Sequence, residues 1–65
     1  MNVGDIIELK KEWRDNPDSN MRYYVVEMRR GTEMLCRALD TGLPLPPHEV
    51  LLQEWCNVIE TNSYV

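Results

Sequence analysis

Met21-Arg22-Tyr23-Tyr24-Val25-Val26-Glu27-Met28-Arg29, then Arg30-Gly31, then Thr32-Glu33-Met34-Leu35-Cys36-Arg37-Ala38-Leu39, is the stretch that decides the fold. Tyr and Val suit a pleated, half-buried surface, so the first arm reads as a strand. Arg30-Gly31 supplies the reversal, because glycine reaches positive φ without a steric penalty. On the returning arm, alternation puts Met34, Cys36 and Ala38 on one face and Glu33, Leu35, Arg37 and Leu39 on the other. The first set is wholly apolar and is expected to face the core. On the outgoing arm the two sets are Tyr24, Val26 and Met28 against Tyr23, Val25, Glu27 and Arg29, and we assign Tyr24, Val26 and Met28 to the interior. Residues 21–39 are therefore predicted to form a β-hairpin.

Upstream, Val3-Gly4-Asp5-Ile6-Ile7-Glu8-Leu9-Lys10 is short, β-branched and alternating, which predicts another strand with Ile7 and Leu9 on one face and Glu8 and Lys10 on the other. Between it and the hairpin lies Lys11-Glu12-Trp13-Arg14-Asp15-Asn16-Pro17-Asp18-Ser19-Asn20. Asp, Asn, Pro and Ser crowd its second half, and each favours turns, so this is a long polar loop with Trp13 as its one large apolar group. Downstream, Asp40-Thr41-Gly42 forms a second turn. Leu43-Pro44-Leu45-Pro46-Pro47 must be extended, since each proline disfavours helix in the residue before it; it is expected as a short edge strand or a polyproline-like crossing. Residues 48–60 admit two descriptions. One is a helix with Leu51, Trp55, Val58 and Ile59 on a single face; the other is a helical turn at Pro47-His48-Glu49 followed by a strand from Val50. Residues 61–65 are expected to fray.

Size and composition set the outer bounds. The 65 residues make a single domain, 1–65, and a chain this short buries only about 60% of its unfolded surface, so the core must be small and efficient. Hydrophobic residues at 43% and charged residues at 28% argue against disorder. With no Phe, the large core groups must come from two Trp, the tyrosines and four Met. A net charge of −4 works against phosphate-driven nucleic-acid binding, though not against a local basic patch. No stretch approaches the roughly 20 apolar residues that span a bilayer, so no membrane association is expected. The N-terminus lacks a secretory pattern, and two cysteines do not make a disulfide framework; a reducing cytoplasm with Cys36 and Cys56 as thiols is the expected setting.

Val3-Gly4-Asp5-Ile6-Ile7, Glu12-Trp13-Arg14-Asp15, Tyr24-Val25-Val26-Glu27 and Leu43-Pro44-Leu45-Pro46-Pro47 with Val50 follow one another in an order that resembles small uncharacterised SH3-like β-barrel proteins of bacteria and their phages. The resemblance spans residues 3–59. It implies a mostly β fold, a small SH3-like barrel of about five strands with a short helical turn or helix near residues 47–59. It also favours the turn-then-strand description of the tail and a phage-related accessory role. It attaches no function to individual residues.

Candidate chemistry is sparse. His48, the sole histidine, follows two prolines and reads as a solvated turn residue; Cys36, His48 and Cys56 lack the close spacing of a zinc site, and Gly4, Gly31 and Gly42 are isolated, so neither a metal, a cofactor nor catalytic residues are expected. Two surfaces could bind. Trp13 with Asp15 and Asp18 places an aromatic among acids, an arrangement that in signalling SH3 domains reads proline-rich ligands; the competing assignment packs Trp13 across the barrel mouth. Tyr23 with Arg29 and Arg37 on the outer hairpin face could stack a base and hold phosphates, or could be ordinary strand-surface charge. Outward Tyr23, Val25, Leu35 and Leu39 would also make that face apolar enough to need a cover, either the tail as a helix or a second protein. The sequence thus predicts a non-enzymatic interaction module with a protein partner, monomeric or homodimeric, with a nucleic-acid-binding barrel as the alternative.

Overall fold

A computed structural model of the chain describes residues 1–15 and 21–61. Asp18 and the end of the chain at 62–65, read above as a binding residue and as part of a fraying terminus, lie outside the described residues.

Five antiparallel strands form one sheet: β1 Ile6–Leu9, β2 Arg22–Met28, β3 Glu33–Ala38, β4 His48–Leu52 and β5 Cys56–Glu60. Two single 3-10 turns complete the described elements, Lys11–Trp13 after β1 and Gln53–Trp55 between β4 and β5. The sheet order is β4-β3-β2-β1-β5, a meander whose last strand returns to lie beside the first. The mostly β domain of about five strands predicted from the sequence is the fold the chain adopts, as one open sheet whose edges are β4 and β5.

The Gly4-Asp5 pair sets where β1 starts. Gly4 sits at φ 93°, which a side chain would resist, and its N–H donates to the Val25 carbonyl at 2.9 Å. The Asp5 carboxylate, buried, accepts the Asn2 N–H at 2.8 Å, and the Asp5 carbonyl accepts the Val25 N–H at 3.0 Å. The opening turn thereby delivers β1 to β2 in register, with Ile7 opposite Tyr23.

Ile7, Tyr23, Val25, Met34, Cys36, Ala38, Leu51 and Cys56 form the core, with Met1, Leu9, Met28 and Trp55 packed at its margin. Every strand contributes to it from one face. A single flat sheet could not bury its own face, so the sheet curls upon itself. The curl is evident in Cys36 of β3 and Cys56 of β5: three strands apart in the sheet order, they lie in one core, close enough for charge on Cys56 to act on Cys36.

The third strand faces as predicted, with Met34, Cys36 and Ala38 inward. The second does not. Tyr23 and Val25 are the buried residues, at 5% and 0% exposure, while Tyr24 and Val26 lie on the outer face; of the predicted inward set only Met28 turns to the core. The cause is a β-bulge. Val25 pairs with Cys36 and Glu27 with Leu35, so Val26 is an extra residue with no partner of its own. Alternation runs in one phase before the bulge and in the other after it.

The tail is also resolved. No helix forms over 48–60: β4 begins at His48 rather than Val50, and the helical turn falls at 53–55 rather than 47–49. Of the two alternatives for Leu43–Pro47, the edge strand does not form: the edge is β4, because a strand that donates to β3 needs N–H groups that Pro44, Pro46 and Pro47 lack.

Candidate functional site

The two 3-10 turns lie side by side. The Lys10 N–H donates to the Trp55 carbonyl at 2.8 Å, which ties the segment before the first turn to the end of the second. Each turn ends in the same dipeptide, Glu12-Trp13 and Glu54-Trp55. Their indoles stack, with ring centroids 5.1 Å apart and planes tilted by 30°. Trp55 packs against the core, and Trp13, laid over it, stays 50% exposed. Arg14 locks the arrangement from behind: its Nε donates to the Leu9 carbonyl at 2.7 Å and its guanidinium lies 3.3 Å from the Glu8 carboxylate. Residues 12–15 thus turn the chain after β1 back onto that strand and present one indole to solvent, and Glu12, Asp15 and Glu54, near the two tryptophans in sequence, are exposed.

Tyr23, Arg29 and Arg37, predicted to share an outer surface, are not brought together. Tyr23 points inward, and its hydroxyl donates to the Glu49 carboxylate; burial first, then that bond, pushes its pKa up to about 12. Arg29 turns to Glu27 at 3.8 Å, and Arg22 pairs with Asp40, which raises the guanidinium pKa further. Arg37 lies over the ring of its register partner Tyr24, 5.1 Å from the centroid, within cation–π range. The outer apolar set is accordingly Tyr24, Val26, Leu35 and Val50, in place of the Tyr23, Val25, Leu35 and Leu39 expected.

Cys36 and Cys56 are free and buried. Desolvation pushes each thiol up to about 11, the reverse of what a nucleophilic cysteine requires. His48 sits on β4 opposite Arg37, on the outer face, with the sheet between it and both thiols. Among the described residues, no three His, Cys, Asp or Glu gather as metal ligands would, and no helix is long and apolar enough to cross a membrane.

Trp55 is the member of the candidate site that the sequence alone did not single out. The local signal is the Glu-Trp pair that closes both 3-10 turns, but the contact between the two indoles is not itself local. No family model, curated protein or solved structure matches the chain.

Proposed function

We propose that this chain is a non-enzymatic interaction module that binds a protein partner through the Trp13–Trp55 pair and the acids beside it. The observation that carries this is the half-exposed Trp13, held in place by its stack on Trp55 rather than by burial. A large aromatic fixed before binding loses little conformational freedom when a partner covers it, and tryptophans are enriched among the residues that dominate interface energies. Glu12, Asp15 and Glu54 on the rim favour a partner with a basic flank. A reducing cytoplasm suits two free thiols in the core, and an accessory role in a phage-derived element is the setting the resemblance suggests.

The test is affinity capture from a bacterial lysate with the wild-type chain and with Trp13→Ala. Loss of a hot-spot tryptophan costs about 2 kcal/mol or more, roughly a thirtyfold loss of affinity. Equal recovery of the same partner by both chains would end the proposal. A second reading, nucleic-acid binding, draws on Arg37 over Tyr24, a cation and a ring on one exposed sheet face. It requires amide shifts at Tyr24 and Arg37 on titration with a short single-stranded oligonucleotide, fading steeply as salt rises.

A further inference from the structure

The β3–β4 ladder determines which backbone groups of β4 have no partner among the described residues. It runs without a register shift from Glu33 opposite Leu52 to Arg37 opposite His48. Bonds at both ends bracket it: the Ala38 N–H donates to the Pro47 carbonyl and the Gln53 N–H to the Thr32 carbonyl, each at 2.9 Å. Bonded and non-bonded pairs alternate in an antiparallel ladder. The bonds to β3 therefore fall at positions 47, 49, 51 and 53, and the N–H and C=O groups of His48, Val50 and Leu52 point to the open edge.

Edges are normally blunted by bulges, lysines or prolines. The β5 edge has such a device, a register shift between Ile6 and Ile7 that leaves Ile59 out of step. Along β4 the described residues show no bulge: the prolines stop at Pro47, one residue before the strand, and Glu49, its inward charge, is engaged by Tyr23. Its ladder is regular, its five residues include neither Lys nor Pro, and Val50 at its centre is 44% exposed.

We propose that β4 pairs antiparallel with β4 of a second copy of this chain, about a twofold axis at Val50. The edge is its own complement in three respects. In hydrogen bonding, Val50 meets Val50 of the second copy and His48 meets Leu52 of the second copy, so every free N–H and C=O on both edges finds a partner. In packing, the outer face gains an unbroken apolar row, Leu35 and Val50 of one copy continuing into Val50 and Leu35 of the other, closed at each end by Glu27. In charge, the flanking rows run from Arg37 and His48 of one copy to Leu52 and Glu33 of the other, so each basic end looks toward an acidic one. On the inner face Glu49 keeps the Tyr23 hydroxyl and lies beside Leu51 of the second copy. A twofold contact of this kind closes on itself and stops at two copies.

Light scattering across the micromolar range tests this. The wild-type chain should reach twice its 7.7 kDa mass as concentration rises. Val50→Lys and Val50→Glu each place like charges face to face on the axis, and each should weaken the dimer at least about tenfold. An equimolar mixture of the two should regain the doubled mass, because Lys then faces Glu. In the wild-type chain the amides of His48, Val50 and Leu52 should gain protection from exchange with concentration, a measurement that needs no variant. A wild-type chain that stays monomeric throughout overturns the proposal, as does a dimer indifferent to both substitutions. Trp13→Ala should leave the mass unchanged, which separates this surface from the one proposed for the protein partner.

Discussion

Tyr23 and Tyr24 are neighbours in sequence and opposites in surroundings. Tyr23 reaches inward beside the small Ala38 to bond Glu49, almost wholly buried. Tyr24 lies on the outer face as a platform for Arg37. The pair shows that composition makes a strand while phase assigns its faces, and that in β2 the phase is set at Val26. Because the bulge inserts one residue, its removal should leave both faces as they are: Tyr23, Val25 and Met28 would still alternate inward. Deleting Val26 should therefore cost about 2 kcal/mol or less. Deleting Leu35 from the regular strand opposite should put Met34 and Cys36 on different faces and abolish cooperative unfolding in a domain whose total stability is on the order of 5–15 kcal/mol. Denaturation of the two deletion variants decides the matter; equal damage would mean that Val26 is not the phase-setting residue.

The same contrast of faces holds within β3, at smaller scale. Met34 is fully buried and Leu35, the next residue, is half-buried on the outer sheet face. Met34→Ala should cost about 2–5 kcal/mol through lost burial and the cavity it leaves. Leu35→Ala removes a similar volume from a wet surface and should cost about 1 kcal/mol. Urea midpoints of the two variants in parallel measure the difference, and a larger loss at Leu35 would show that the outer face is covered in solution.

How much of this was legible in the sequence follows from where the pattern is one-sided. In β3 one alternating set is wholly apolar, so its inward face was readable from the residues. In β2 both phases carry Tyr and Val, and the deciding bulge depends on how β2 pairs with β3, so local alternation chose the wrong face. The tail stayed between two descriptions for a related reason. Leu51, Trp55, Val58 and Ile59 have helical spacing, yet they fall on three elements: Leu51 in β4, Trp55 in the 3-10 turn at 53–55, and Val58 and Ile59 in β5. For the candidate site, Trp13 and Asp15 were readable as exposed loop residues. The stack on Trp55 was not, because it joins turns more than forty positions apart through a contact that neither turn makes alone. Tyr23, assigned to the binding surface, was lost from it when the phase of β2 changed.

The smallest effect separates the two tyrosines by their hydroxyls. Tyr24→Phe keeps the ring beneath Arg37 and should leave stability at pH 7 unchanged. Tyr23→Phe removes the bond to Glu49 and should cost about 0.5–1.5 kcal/mol. The difference should then reverse in alkali. Tyr23 is neutral when buried, and its pKa is raised from 10.0 to about 12 in the folded chain, so the unfolded chain loses this proton first. The stability tied to the neutral phenol is complete below pH 10, falls as the unfolded state ionises, and is gone once pH passes about 12. Cys36 and Cys56, raised from 9.0 to about 11, erode stability from pH 9 upward in every variant. The wild-type chain should therefore decline above pH 10, with Tyr23→Phe declining less and overtaking it. Denaturant midpoints for the three chains at pH 7, 10 and 11 would show the crossing, and parallel curves would place the Tyr23 hydroxyl in water.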